Sequence, residues 1–291
     1  MKPHIRGITM LEQIGNGAGS VVFRAKDDRT GELLAVKSVT GEIVLTIQEQ
    51  APSPEFAGSV RQMLKMYLAQ VHNEWKIGHR LTNLAGGHVG IPRMHRLDVR
   101  RGALFRPTEM HLVMDFAEGQ NLRRHREYPM QQFVAIYRQA ADICRFMHQN
   151  DVVHADMKPH HIIVASDGKV QLLDLGLACR RHGHASQIVG SPNYMAPEQL
   201  VGAGVDERTD VFGLGATMFW ALTGRTIRPN VGGASTMGMI DLQVKSLETS
   251  VCEHNPDVPS ALEDIVLRSC APSRKARLSL AEVIMRLDRL L

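Results

Sequence analysis

The chain opens with short apolar runs of alternating character rather than long helical stripes. Met10 to Ile14, Val21 to Lys26, Leu33 to Val39, Arg93 to Val99 and His111 to Phe116 read as strands. Before the last two, one stretch from about Phe56 to Leu84 carries apolar residues at three- and four-residue spacing and predicts a long helix. Thr40 to Pro54 has no clear period and contains Ala-Pro-Ser-Pro, so it reads as an inserted loop.

After Glu118-Gly119 the pattern turns helical. Met130 to Gln149 places Phe133, Ile136, Ala140, Ile143 and Met147 on one face, and Asp210 to Leu222 and Ala281 to Leu291 read as further helices. The expectation is an α+β chain of two lobes. Residues 1–116 would form a small antiparallel-sheet lobe with one long helix, and residues 117–291 a larger, mainly helical lobe. The boundary falls where a strand runs into Ala-Glu-Gly-Gln-Asn, a hinge-like composition.

Composition narrows the class. With 291 residues, 44% hydrophobic and 22% charged, the chain can bury a large core. Its longest mostly apolar run, Val211 to Leu222, holds two glycines and is too short to cross a bilayer, and the start lacks an apolar signal core. No membrane segment and a cytoplasmic place are expected. Cys144, Cys179, Cys252 and Cys270 lie far apart without a CxxC pair, which argues against a disulfide framework. The net charge of +4 is modest and its cations are scattered, so no nucleic-acid partner is expected.

Four segments carry candidate chemistry. In Ile14-Gly15-Asn16-Gly17-Ala18-Gly19-Ser20-Val21-Val22 the chain continues as a strand after the glycines, which suits a hairpin over phosphates better than a dinucleotide turn; an ordinary glycine-rich turn is the plain alternative. Leu34-Ala35-Val36-Lys37 ends a strand on a lysine that can neutralise phosphate oxygens. Its best anionic partner is Glu74, which shares a helix face with Val71, Ile77 and Leu81. Then His154-Ala155-Asp156-Met157-Lys158-Pro159-His160-His161 lies between two apolar runs and suits an acid–base pair on a loop held at both ends, and Leu173-Asp174-Leu175-Gly176 places a carboxylate where a hard cation bridging phosphates would sit.

These segments, followed by Gly190-Ser191-Pro192-Asn193-Tyr194-Met195-Ala196-Pro197-Glu198, resemble the eukaryotic-type (Hanks-type) serine/threonine protein kinase family over nearly the whole chain. The resemblance implies a bilobal kinase-like fold and ATP-dependent transfer to serine or threonine hydroxyls of a protein substrate. Asp156 and Lys158 would be catalytic, and Asp174 would hold magnesium, with manganese as the alternative metal. ATP would be held by Ile14, Gly15, Asn16, Gly17, Val22, Ala35, Lys37, Glu74, Met114, Asp115, Ala117, Asn121 and Ile163. Ser186 would be a phosphosite of the activation segment and Ser191 a substrate contact. His154, Asp210, Glu198 and Arg277 would be structural.

Four positions depart from the family pattern. His161 replaces an asparagine that binds a second metal and braces the catalytic aspartate; it is read either as a metal ligand favouring manganese or as a spacer in a degraded site. Ala155 replaces an arginine that receives a phosphate on the activation segment, which implies a segment not switched that way. Ser20 replaces the last loop glycine, with Gly19 expected to keep the turn flexible. Gly78 stands where an apolar side chain usually packs, which would loosen the helix and make it depend on a partner. Arg180, Arg181, His182 and His184 read either as a preference for acidic substrates or as a solvated loop. The alternative functions are a pseudokinase acting as a nucleotide-binding scaffold and a small-molecule kinase of the same fold. Because the chain stops just after the last expected helix, regulation is expected from a protein partner.

Overall fold

The computed structural model describes residues 2–17, 19–50, 60–84, 90–181, 191–227 and 250–291. Its contacts divide the chain into two compact units. One comprises the chain through Ala117 together with Asp174–Gly176, and the other comprises Glu118–Leu173 and Leu177–Leu291.

The first unit is built on β1 (Ile8–Asn16), β2 (Val21–Asp27), β3 (Leu33–Val39), β4 (Met94–Arg101) and β5 (Pro107–Asp115). They form an antiparallel sheet in the order β1-β2-β3-β5-β4. The two-residue period of β3 sorts its side chains between two cores. Leu34 and Val36 pack with Ile5, Ala25 and Val113, whereas Ala35 and Val39 pack with Met63, Tyr67, Leu68 and Val71 of a long helix. Val36, Val39 and Leu112 are wholly excluded from water, each such side chain contributing about 1.5–3 kcal/mol. Lys37 takes the parity of Ala35 and Val39.

The loop expected over Thr40 to Pro54 is corrected: Gly41–Gln50 form a helix, α1. Thr40 Oγ1 accepts from the Ile43 N–H at 3.1 Å, as a helix N-cap does, and Val44 anchors the turn in the core. The Ala-Pro-Ser-Pro run that suggested a loop lies after this helix, in residues 51–59, outside the described residues. The long helix α2 is described over Val60–Thr82. Its buried face runs through Tyr67, Val71, Glu74, Gly78 and Leu81, with Ile77 only half-buried beside it. Gly78 leaves no void, since a Cβ there would meet Met94 Cε at 2.6 Å. The expected loosening is therefore corrected, because the Met94 side chain fills the space.

The second unit is mainly helical. It contains β6 (Gln120–Asn121), α3 (Met130–Gln149), β7 (Ile162–Val164), β8 (Val170–Leu172), α4 (Pro197–Leu200), α5 (Glu207–Thr223), α6 (Val251–His254), α7 (Ser260–Ser269) and α8 (Leu280–Asp288). All five apolar residues predicted on the α3 face are buried. Asp206 caps α5 through the Arg208 N–H, and Gly224 closes it at φ +73°, a left-handed conformation glycine adopts without penalty. Residues Thr209 to Trp220 are buried throughout, so α5 is the central helix of its unit. Strands β6, β7 and β8 form a small antiparallel sheet, and the loop before β7 carries the candidate catalytic residues.

Candidate active site

In the first unit the glycine segment is a hairpin, as its strand-turn-strand pattern predicted. Gly15 pairs with Val22 and Asn16 with Val21, and the Gly17 N–H donates to the Ser20 carbonyl at 2.7 Å. Gly19 has a different role from the expected flexibility. A Cβ at that position would overlap the ring of Tyr67, a buried side chain on α2, so the absence of a side chain lets the turn rest on an aromatic face. Ser20 is buried behind it.

Lys37 is the centre of a three-charge cluster. Its Nζ lies 2.7 Å from Glu74 Oε2 and 2.9 Å from Asp174 Oδ1. Burial opposes the ammonium, but the charges of Asp174 and Glu74 outweigh it and hold Lys37 above its ordinary value. Two carboxylates thus share one cation. Glu74, wholly buried, is pushed up to about 7 by that burial against the pull of Lys37, and the Asp174 charge adds to the rise. Asp174 sits at φ +63°, and its Oδ1 accepts the Gly176 N–H at 3.2 Å. Asn73 on α2 holds the turn by donating to the Gly176 carbonyl at 3.0 Å, a link that helical spacing alone did not single out.

On β5, Met114 pairs with Ala35 and Asp115 with Leu34. The Asp115 carboxylate ties down the start of β4, lying 2.6 Å from His95 Nε2 and accepting the Arg93 N–H at 3.1 Å. The unit ends at Ala117.

The second unit holds the loop from His154 to His161. The Asp210 carboxylate, buried beneath it, accepts the His154 N–H at 2.8 Å, the Ala155 N–H at 2.9 Å and His148 Nε2–H at 2.8 Å. Burial raises its pKa, but the His148 hydrogen bond and the charge and amides around it prevail and hold it below the ordinary value. These bonds hold Ala155 at φ +61°, which a non-glycine residue adopts only when its surroundings fix it. His154 Nε2 lies 3.1 Å from the Leu173 carbonyl, an acceptor only, so that nitrogen carries the proton and Nδ1 accepts the Asp156 N–H at 3.3 Å.

Asp156, Lys158 and Ser191 form a closed ring. Lys158 Nζ donates to Asp156 Oδ2 at 2.8 Å and to Ser191 Oγ at 3.0 Å, and the Ser191 hydroxyl donates to Asp156 Oδ1 at 3.0 Å. The carboxylate is thereby aimed by two donors, and the lysine charge lies at its edge. His161 Nδ1 lies 3.0 Å from the Asp156 carbonyl and must be its donor, so the histidine ring is tied to the Asp156 backbone.

Ala155 lies in an apolar cluster with Val153, Val205 and Cys179, a place suited to a methyl group and not to a guanidinium. The segment after Ser191 is fastened through Gln199. Its amide donates to the Ala155 carbonyl at 2.7 Å and accepts the Ala196 N–H at 3.0 Å. Neither Gln199 nor His148 was singled out from sequence, where each is one polar residue with no motif around it. Glu198 and Arg277 form a buried bidentate pair with both N···O distances at 2.7 Å, and Arg277 also donates to the carbonyls of Arg208, Ala271 and Pro272. Asn121 pairs with Ile163 across β6 and β7, and its Oδ1 accepts the Arg124 N–H at 3.0 Å. Arg181 is committed to the His148 carbonyl and to Glu207. Ser186, His182 and His184 lie outside the described residues.

The donors can be tested against a divalent cation. Asp174 offers carboxylate oxygen on a partly exposed side chain, which fits magnesium, whereas an imidazole nitrogen of His161 suits manganese better. Among the described residues no group of three or more histidine, cysteine or carboxylate side chains forms a ready-made metal cage, and no helix is long and apolar enough to cross a membrane.

Comparison with known proteins agrees with this geometry. A family model described as the protein kinase domain matches residues 8–286. The chain is 33% identical over 209 residues to the serine/threonine-protein kinase Pkn1 of Myxococcus xanthus, covering 68% of this chain and 29% of that protein. It is 29% identical over 180 residues to the serine/threonine-protein kinase PrkC of Bacillus subtilis, covering 59% of this chain and 27% of that one. A probable serine/threonine-protein kinase of Clostridium acetobutylicum is 26% identical over 266 residues, covering 88% of this chain and 36% of that protein. The matches thus span about a third or less of these relatives.

Proposed function

Because this chain belongs to the protein kinase domain family, we propose that it is an ATP-dependent kinase transferring the γ-phosphate to serine or threonine hydroxyls of a protein substrate. The observation that carries this reading is the Asp156–Lys158–Ser191 ring, which keeps one carboxylate oriented and one ammonium beside it. In this role Asp156 accepts the proton of the attacking hydroxyl. Lys158 offsets charge growing on the transferring phosphoryl group, and Ser191 holds both side chains against the substrate backbone.

Lys37, fixed by Glu74, binds the α and β phosphates, and the hairpin turn through Gly15, Asn16 and Gly17 covers them. Backbone groups of Asp115 and Ala117 would read adenine, Val22, Ala35 and Ile163 would pack on its faces, and Met114 and Asn121 complete the proposed ATP-binding set. Asp174 would hold magnesium, with His161 favouring manganese, and the metal would supply neutralisation of phosphate charge. His154, Asp210, Glu198 and Arg277 keep the loop and the substrate segment in place. Regulation is assigned to a protein partner and to Ser186, without an arginine at 155 to receive its phosphate.

A second reading, a nucleotide-binding scaffold with little transfer, is favoured by His161 in place of the asparagine. The two separate on one assay: transfer from labelled ATP to a generic basic protein, with magnesium and with manganese. A scaffold binds ATP and transfers nothing with either metal.

A further inference from the structure

A basic pocket lies in the second unit, directly beside the catalytic loop. The Leu122 N–H donates to the Ile162 carbonyl at 3.0 Å, and Asn121 pairs with Ile163, so the chain from Arg123 to Glu127 is fixed next to the end of the loop that carries Asp156 and Lys158. There it forms a cavity of about 400 Å³ with Trp220 and Gly224. That volume is at the lower end of the range of ligand pockets, about 300–1,000 Å³.

Its charge is unbalanced. Arg123, Arg124 and Arg126 line the pocket against a single carboxylate, Glu127, and among the described residues none of the three guanidiniums pairs with an acidic side chain. Arg180 and Arg181, by contrast, have carboxylate partners in Asp151 and Glu207. The walls are also ordered. Arg123 lies over the Trp220 ring at 5.1 Å, and that indole is 4% exposed, so it is a rigid floor rather than a mobile surface group. Arg126 rests against Gly224 at the C-terminus of α5, where a side chain would collide with it and where the helix dipole favours a cation.

The pocket is tied by backbone bonds to the strand that follows the Asp156 loop. Tyr194 lines a crevice with Asp156 and Ser191, and burial raises its phenol while the Arg123 charge pulls it down. Because Leu122 is bonded to Ile162, at the end of the loop that carries Asp156, a peptide presenting a hydroxyl to Asp156 would pass beside the arginines that follow Leu122.

We propose that this pocket is a specificity site for acidic side chains of the peptide substrate, seated on Arg123 and Arg124 above Trp220. The proposal rests on the protein kinase reading and names the substrate class of that site. Carboxylate and phosphorylated side chains share the required chemistry, and arginine forks recognise both.

The test uses peptides around a central serine in which each flanking position is fixed in turn as Glu, phosphoserine, Gln or Lys. The wild-type chain is expected to favour Glu or phosphoserine over Lys at least tenfold in kcat/KM at one or more positions. In Arg123→Glu/Arg124→Glu the preference is expected to invert toward Lys, which a merely structural loss would not produce. Equal use of all four series by the wild type, or an unchanged preference in the variant, overturns the site while leaving the kinase reading intact. If no peptide is phosphorylated the kinase reading fails, and the pocket is judged by binding of fluorescent Ser→Ala versions. Tighter binding of the Glu peptide than the Lys peptide, lost in the variant, supports the site. Equal binding, or equal competition by a single-stranded oligonucleotide, overturns it.

Discussion

The Nδ1–H of His161 donates to the backbone carbonyl of Asp156 at 3.0 Å. On the kinase reading, this imidazole takes over the bracing bond of the asparagine expected at this position and would change the metal ligand offered there. His161→Asn keeps an N–H for the carbonyl and adds an amide oxygen, which suits magnesium. It is expected to raise magnesium-supported kcat about threefold or more and to lower the ratio of manganese to magnesium activity. His161→Leu loses the bond and is expected to reduce kcat roughly tenfold, the worth of about one hydrogen bond. A leucine variant as active as the wild type would show the brace to be dispensable.

Gly19 and Tyr67 are coupled by contact. Gly19→Ala drives a methyl group into the buried ring, an overpacking that typically costs about 1–3 kcal/mol. KM for ATP is expected to rise severalfold if the displaced turn covers the phosphates, as the kinase reading has it. Adding Tyr67→Ala makes room, and the double variant is expected to recover part of the loss. Additive losses in a double-mutant cycle would count against the contact.

The Lys37–Glu74 bond requires an ionised glutamate, and burial pushes Glu74 up to about 7. Transfer is expected to fall as the pH drops through that value, and Glu74→Gln should flatten this limb while lowering activity at pH 8. Stability runs the other way. The folded chain favours the protonated carboxyl relative to its ordinary value of 4.5, so this contribution is full below 4.5 and lost as the pH rises through about 7. Parallel pH profiles of rate and of urea midpoint would separate the two effects.

Asp210 satisfies the amides of His154 and Ala155 and the ring of His148. Its folded pKa lies below the ordinary 3.8, so its contribution is present above pH 3.8 and is lost as the pH falls below that value. Asp210→Ala leaves three buried donors unpaired and is expected to cost about 3–5 kcal/mol in urea unfolding at pH 7. The deficit should shrink toward pH 3.

Much of the fold was legible because strand and helix periods are local. Lys37 could be placed on a strand by the apolar run Leu34-Ala35-Val36 before it, and Glu74 by its spacing from Val71 and Leu81. What stayed hidden depends on neighbours distant in sequence. Met94 filling the space beside Gly78, Tyr67 beneath Gly19, and Gln199 joining Ala155 to Ala196 are contacts between residues with no shared period. Helix α1 was hidden for a different reason. Residues 41–50 carry no clear apolar period, and the Ala-Pro-Ser-Pro run after them reads as loop.

Phosphoryl transfer itself is tested most directly by incubating the chain with γ-labelled ATP, each metal in turn and a generic basic protein, and comparing wild type with Asp156→Asn. Labelled serine or threonine is expected from the wild type, with a loss of roughly 10²- to 10⁴-fold in the variant, the usual share of a general base. ATP binding without transfer under either metal, or equal labelling by Asp156→Asn, would contradict it.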